Sequence, residues 1–219
     1  MWLPRSRPPR PALRPSVKLL RESLWRWSAA HPDWEPSDDW PQQVSCFAHV
    51  SATGLVVIDP LLEVADWGPL DELAERHGGV AAVLVTVFWH ARDAGAAAER
   101  YGAALYAPRL GTAQPSLAGA HPIEEGGALP GGIQPVLAPL AAEALLYLPA
   151  ARTLVAGDAL VARQDRLGLC PASWLDREAD LEAVRADVRR ALELPLEAVA
   201  VSHGEPPLFD RAALEAAVG

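Results

Sequence analysis

Cysteine, methionine and long apolar segments are scarce in this chain of 219 residues. The two cysteines, Cys46 and Cys170, lie far apart and form no C-x-x-C pair, so we expect free, buried thiols and a cytoplasmic setting. No run of about eighteen apolar residues occurs, and no transmembrane helix is therefore predicted. Half of the residues are nevertheless apolar, which is enough for the core of one domain.

Two common catalytic and cofactor motifs are also missing. The chain has no G-x-S-x-G sequence, and Ser202 adjoins His203 too closely along a predicted strand to be activated by it. The glycine pairs at 78–79 and 126–127 precede predicted strands and do not link a strand to a helix. The sequence therefore gives no indication of a serine hydrolase or of a nucleotide-binding protein.

The net charge of −9 is unevenly distributed along the chain. Residues 1–26 contain seven basic side chains and one acidic side chain, so their charge of +6 leaves −15 for the remainder. An acidic body argues against nucleic-acid binding, because Lys and Arg that neutralise phosphates supply most of that affinity. No nucleic-acid partner and no membrane partner are expected.

The first residues differ in composition from the rest. Residues 1–16 are rich in Pro and Arg and lack apolar periodicity. We therefore expect a disordered tail at 1–16, followed by a single domain over residues 17–219. A contact of the tail with nucleic acid or anionic lipid is the alternative interpretation.

Deletion of residues 1–16 is expected to leave the stability of the protein almost unchanged. The reason is that these residues have no apolar partners with which to form a core. The melting temperature should stay within about 2 °C, which corresponds to roughly 1 kcal/mol or less at this chain length. A larger loss, measured by differential scanning calorimetry, would show that the tail packs on the domain.

Apolar periodicity predicts strands and helices in a mixed order. The predicted strands cover residues 55–58, 80–86, 103–107, 133–138, 144–148, 153–156 and 198–202. The predicted helices cover residues 69–77, 94–101 and 176–194, with a C-terminal helix that is capped by Asp210. This order is typical of an α/β layered sandwich with its helices outside.

Two segments depart from this regular pattern. Residues 24–40 are rich in Trp and Pro, and we predict a packed segment with edge strands only, because Pro cannot donate to the interior ladder of a sheet. Residues 109–132 are rich in Gly and Pro, and we predict a loop with short edge strands there.

The loop after the strand at 80–86 resembles a known metal motif. The strand ends in Thr86 and is followed by a short loop with His90 and by an Ala-rich helix. This arrangement resembles the first metal motif of the metallo-β-lactamase superfamily, T-H-x-H-x-D-H. In this register the four ligands of the motif fall on Val87, Trp89, Ala91 and Arg92.

Further segments carry the same resemblance, which extends over residues 24–204. Residues 55–60 resemble the early strand that ends in Asp, and residues 153–160 resemble the strand that ends in Gly-Asp. Residues 199–204 resemble the closing strand with its His-Gly. The resemblance implies an αββα sandwich, with Asp158 as the bridging carboxylate and His203 as a ligand of the second metal. The middle His of the family falls on Pro139-Leu140-Ala141, where no His is present.

Zinc hydrolysis needs three protein ligands and an open position, and the resemblance supplies only Asp158 and His203. His90, one residue out of register in an irregular loop, is the candidate third ligand. Three alternatives remain open: a mononuclear site formed by these three side chains, hydrogen-bonded remnants that hold loops together, or some other polar use of the pocket. The expected cofactor is none or one weakly bound zinc ion, with well under one equivalent in the purified protein.

The bulky replacements in this loop predict a refilled pocket. We expect Trp89 to be buried in the former metal crevice, with Arg92 and Asp59 also in the pocket. Such a pocket would suit an anionic or aromatic small molecule. The alternative is that Trp89 and Arg92 only pack against and solvate the start of the following helix.

The resemblance implies a hydrolase-like protein of the metallo-β-lactamase fold whose site has lost most of its ligands, so no efficient hydrolysis is expected. One alternative is a mononuclear metal-dependent hydrolase of a small ester, thioester or lactam that uses His90, Asp158 and His203. The other is a non-catalytic protein that binds a small ligand or a protein partner.

Overall fold

The computed structural model describes residues 17–62, 66–139, 142–175, 177 and 180–219. Several expectations fall outside this part of the chain. They are the tail at residues 1–16, Leu140 and Ala141, on which the middle His of the family was expected to fall, and the start of the helix expected from Asp176.

The first sheet has seven strands that follow one another in chain order. They are β1 (Lys18–Arg21), β2 (Leu24–Ala30), β3 (Gln43–Ser51), β4 (Gly54–Ile58), β5 (Val80–Leu84), β6 (Ala104–Pro108) and β7 (His121–Ile123). The strands from β4 to β7 are parallel, and the others are antiparallel. Helix α1 (Gly68–Arg76) connects β4 to β5, and helix α2 (Ala94–Tyr101) connects β5 to β6.

The second half of the chain contributes a hairpin and a five-stranded sheet. Its strands are β8 (Gln134–Ala138), β9 (Glu143–Leu148), β10 (Thr153–Ala156), β11 (Leu160–Arg163), β12 (Arg166–Leu169), β13 (Ala198–Val201) and β14 (Leu208–Asp210). The sheet has the order β14-β13-β10-β9-β8, in which β10 and β13 are parallel, while β11 and β12 form the separate hairpin. Helices α3 (Asp180–Arg189) and α4 (Arg211–Val218) complete this half.

Short 3-10 turns join many of these elements. They lie at Phe88–Ala91, Arg109–Gly111, Pro115–Leu117, Pro130–Gly132, Pro149–Ala151, Ala172–Trp174 and Arg190–Glu193.

Three apolar clusters show how the layers are stacked. The central cluster joins the inner faces of the two sheets, with Phe47 and Ile58 from the first and Leu146 and Val155 from the second. A second cluster packs α1 and α2 on the outer face of the first sheet. A third packs α3 and α4 on the outer face of the second sheet. The molecule is therefore the αββα sandwich that the resemblance implies.

Most predicted elements are confirmed, and the N-terminal segment is the main exception. Strand β2 pairs with β1 on one side and β3 on the other, so the prediction of edge strands alone was wrong. The reason is that Pro32, Pro36 and Pro41 all lie in the connection between β2 and β3, where they do not interrupt a ladder. The helix expected over residues 176–194 is α-helical from Asp180 to Arg189 and continues as a 3-10 turn.

Both Cys46 and Cys170 are free and buried, as predicted. Among the described residues, no helix is long and apolar enough to cross a membrane.

Candidate metal centre

Polar side chains from both sheets meet at one edge of the sandwich. Asp59 follows β4 directly, and His90 lies in the 3-10 turn that follows β5. Asp158 and His203 come two residues after β10 and β13. Because β4 and β5 are parallel neighbours, as are β10 and β13, the turns after their carboxyl ends converge on one crevice.

Three buried donor atoms lie within reach of one another at this edge. His90 Nε2 and His203 Nε2 are each 3.0 Å from Asp158 Oδ1, and the two nitrogens are 3.4 Å apart. The three residues are only 3%, 7% and 5% exposed for His90, Asp158 and His203. Ligand atoms about 2.0–2.1 Å from a tetrahedral zinc ion lie roughly 3.3–3.4 Å from each other. The triangle of donor atoms is therefore close in size to one face of such a site.

The directions of the donors distinguish this cluster from an ordinary hydrogen-bond network. Asp158 Oδ1 is buried and has no hydrogen bond of acceptable geometry, although two imidazole nitrogens lie 3.0 Å away. An unsatisfied buried carboxylate oxygen is costly, and a cation bound by these atoms would compensate it. The donor set of two imidazoles and one carboxylate suits zinc.

Asp59 orients His90. Its Oδ2 lies 3.0 Å from His90 Nδ1, while Oδ1 accepts the backbone N–H of Thr86 at 2.8 Å and Oδ2 accepts its hydroxyl at 2.5 Å. Donation from Nδ1 to this carboxylate leaves the lone pair of Nε2 facing Asp158. A carboxylate that holds the far nitrogen of a histidine ligand is a common partner in metal sites.

Asp158 is fixed by Trp89 and by Glu143, of which sequence reasoning did not single out Glu143. Its Oδ2 accepts the indole N–H of Trp89. The turn around it donates three backbone N–H groups to the buried Glu143 carboxylate, from Gly157 at 2.6 Å, Asp158 at 2.9 Å and Ala159 at 2.6 Å. The only sequence signal for Glu143 is an acidic residue at the start of an otherwise apolar strand.

Burial and neighbouring charge shift the pKa values of this cluster in opposite directions. Burial raises the pKa of Asp158, but the charge of His90 and the close approach of both imidazoles outweigh it and hold that pKa well below its usual range. Burial and Arg92 lower the pKa of His90, yet the carboxylates of Asp158 and Asp59 produce a net rise. Burial is the main cause of the lowered pKa of His203. Burial, followed by the charge of Asp158, raises the pKa of Glu143 to about 7.

A pocket of about 530 Å³ opens beside these donors. Three indole rings, those of Trp40, Trp89 and Trp174, form much of its wall, together with Arg92. The rings of Trp40 and Trp174 both meet the His203 ring in a T-shaped arrangement, with centroids 5.3 and 5.7 Å away. The cluster is thus reached through a largely apolar opening.

Comparison with solved structures identifies the fold. No protein-family model and no curated protein matches the sequence. The structure is similar to the DIM-1 metallo-β-lactamase, with a TM-score of 0.69, 13% identity and coverage of 94% of this chain and 96% of the other. It is also similar to a metallo-β-lactamase from Pontibacter korlensis (TM-score 0.64, 17% identity, coverage 92% and 96%). A third similar structure is a metallo-β-lactamase family protein from Thermus thermophilus (TM-score 0.59, 19% identity, coverage 90% and 77%). The chain has the metallo-β-lactamase fold.

Within the metallo-β-lactamase fold, the 3-10 turn Phe88–Ala91 explains how His90 reaches the site. A one-residue shift would reverse a side chain on a strand, but the turn lets His90 point inward and be buried. The structure therefore brings together the three predicted side chains, His90, Asp158 and His203.

The expectation that Trp89 is buried was wrong, because its side chain is 46% exposed. Its indole N–H donates to Asp158 Oδ2, and its ring meets Phe88 at 4.5 Å, so the ring lies along the rim of the pocket and does not fill the crevice. Arg92 lines the pocket as expected, but Asp59 does not. Asp59 is fully buried behind His90, and its backbone oxygen accepts Arg92 Nη1 at 3.3 Å.

Replacing Trp89 with alanine is expected to lower the free energy of unfolding by only about 1–2 kcal/mol. A half-exposed ring leaves no cavity, so the main loss is one hydrogen bond to a carboxylate. The matched control is Trp27→Ala, since Trp27 is 1% exposed and should cost about 3–5 kcal/mol. Equal losses for the two variants in urea denaturation would contradict this placement of Trp89.

Proposed function

We propose that the protein is a mononuclear metal-dependent hydrolase of a small ester, thioester or lactam. The observation that carries the proposal is the triangle of His90 Nε2, Asp158 Oδ1 and His203 Nε2, with sides of 3.0, 3.0 and 3.4 Å. Its carboxylate oxygen is buried and has no hydrogen-bond donor of acceptable geometry. These atoms lie at the wall of a pocket large enough for a small substrate.

The charge around the site supports a bound cation. Three carboxylates are buried there, those of Asp59, Glu143 and Asp158. Arg92 contacts this group through the backbone oxygen of Asp59, while His90 and His203 lie 3.0 Å from the carboxylate of Asp158. Buried negative charge is unfavourable unless it is paired, and one divalent cation would provide that pairing.

The residues present favour one metal ion and not two. The ligand positions of the family motif are taken by Val87, Trp89, Ala91 and Arg92. The indole N–H of Trp89 donates a hydrogen bond to Oδ2, the second carboxylate oxygen of Asp158. That oxygen is consequently engaged by Trp89, and none of these four side chains offers a ligand for a second ion.

Each side chain then has a defined part in the proposed reaction. Zinc held by His90, Asp158 and His203 would lower the pKa of a coordinated water to about 7 and polarise a carbonyl group. Asp59 holds His90 in the tautomer that leaves Nε2 free. The rings of Trp40, Trp89 and Trp174 limit access of bulk water and offer apolar surface to the substrate.

The test is hydrolysis by the zinc-loaded protein of p-nitrophenyl acetate, an acyl thioester and a chromogenic β-lactam. We expect turnover of at least one substrate, which His90→Ala and His203→Ala abolish. The matched control is His121→Ala, because His121 is exposed and belongs to a different part of the fold. Zinc bound without turnover of any of these compounds would contradict the hydrolase and favour the non-catalytic binding protein.

A further inference from the structure

Glu143 makes an unusual set of contacts for a buried acid. It is the first residue of β9 and is 2% exposed. Its Oε1 accepts the N–H of Gly157, and its Oε2 accepts the N–H groups of Asp158 and Ala159. One carboxylate thus holds three consecutive backbone donors, and the middle one belongs to the residue whose side chain faces the two imidazoles.

These contacts restrict what the Asp158 side chain can do. Asp side chains in turns commonly accept hydrogen bonds from nearby backbone N–H groups of the same turn. Here the N–H groups of residues 157–159 are already engaged by Glu143. The carboxylate of Asp158 therefore has no local backbone donor at these three positions, and its Oδ1 stays directed at His90 and His203.

Glu143 also ties this turn to the loop that carries His90. Its backbone forms a bridge with Val87, and the N–H of Ala144 donates to the oxygen of Thr86 at 2.8 Å. Gly157 packs closely on Thr86, since a Cβ added to Gly157 would lie 2.4 Å from Thr86 Oγ1. Thr86 in turn binds Asp59, the carboxylate that orients His90. Contacts that begin at Glu143 thereby set the separation between Asp158 Oδ1 and His90 Nε2.

We propose that Glu143 is a positioning residue that preorganises Asp158 for metal binding through the backbone of its turn. This inference rests on the proposed function, because it requires that a metal ion binds at His90, Asp158 and His203. Glu143 itself does not contact the ion or the substrate in this proposal.

The test is the metal affinity of Glu143→Gln, measured by competition with a chromophoric chelator for zinc. A glutamine has one acceptor oxygen, and its amide N–H₂ would face backbone donors. We expect zinc to bind about 10–100-fold more weakly, as is typical when a group that supports a metal ligand is removed. The visible spectrum of the cobalt-loaded variant should also change, because the coordination geometry is less well defined.

A matched control separates positioning from general destabilisation. Val188→Ala removes buried volume on α3, in the cluster on the outer face of the second sheet. It should lower the melting temperature but leave zinc affinity close to that of the wild type. If Glu143→Gln does not fold, zinc affinity is measured on Glu143→Asp instead. The amide proton chemical shifts of residues 157–159 in the wild-type protein then test the hydrogen bonds to Glu143. Short hydrogen bonds to the Glu143 carboxylate should move all three amide proton signals downfield.

Different outcomes overturn different statements. Zinc affinity and a cobalt spectrum equal to wild type in Glu143→Gln, or in Glu143→Asp, would overturn the positioning role alone. Amide signals at ordinary positions would overturn it as well. Failure of the wild-type protein to bind either metal would overturn the proposed function, and this inference with it.

Discussion

Adding zinc is expected to raise the melting temperature by about 5–11 °C once the free metal is at 100-fold its dissociation constant. A ligand at that concentration contributes about 2.7 kcal/mol to the folded state, and a chain of this length gains roughly 2–4 °C for each kcal/mol. The physical reason is the triangle of His90, Asp158 and His203, which is assembled only in the folded chain, so that a metal held there would stabilise the folded state alone. Differential scanning calorimetry with and without chelator measures the shift.

Two variants make this expectation specific. His203→Ala removes one of three ligands and should lose the shift, while His121→Ala should retain it. This expected rise in melting temperature differs from what the family motif alone suggests. The motif has lost most of its ligands in this sequence, which implied little stabilisation by zinc. A wild-type protein with the same melting temperature in zinc and in chelator would show that the cluster is a set of loop contacts and not a metal site.

Replacing Gly204 with alanine is expected to destabilise the protein by about 2–5 kcal/mol, which corresponds to a fall of roughly 4–20 °C in melting temperature. Gly204 follows His203 with φ of +92°, a conformation that side chains rarely adopt. A Cβ at this position would lie 2.1 Å from the carbonyl oxygen of Ala162 in β11. The hairpin and the closing turn cannot both keep their places, so His203 should move as well.

A second glycine provides the control for this variant. Gly119 has φ of +82°, but no atom lies within 4 Å of an added Cβ. Gly119→Ala should therefore cost only about 1–2 kcal/mol from backbone strain. Similar losses for the two variants would mean that the contact between Gly204 and Ala162 is not as close as the structure shows.

The order of strands and helices was largely predictable because the two have distinct periodicities, whereas the αββα arrangement was implied by the resemblance to the metallo-β-lactamase superfamily. Strand β10 and the cap of α4 by Asp210 match the prediction residue for residue. Strand β2 was misassigned because the prolines that follow it were weighed together with it. The β11–β12 hairpin was not predicted, since its two strands have only four residues each, on either side of a Gln164-Asp165 turn, and give no long alternating pattern.

The site was predictable only in part. Asp158 and His203 follow recognisable strand ends, whereas the place of His90 depends on a 3-10 turn that no linear register reveals. The exposure of Trp89 depends on a hydrogen bond to Asp158, a residue 69 positions away in the chain. Glu143 has no motif of its own, and its contacts with residues 157–159 arise only when β9 and β10 pair.

X-ray absorption at the zinc edge, on protein loaded with zinc and then freed of excess metal, would show whether His90, Asp158 and His203 hold a single metal ion. We expect one zinc per chain, bound by two imidazole nitrogens and one carboxylate oxygen at about 2.0–2.1 Å, with no second zinc about 3.5–4 Å away. The His90→Ala protein should show one imidazole fewer. Absence of bound zinc, or a coordination shell unchanged by His90→Ala, would contradict this expectation.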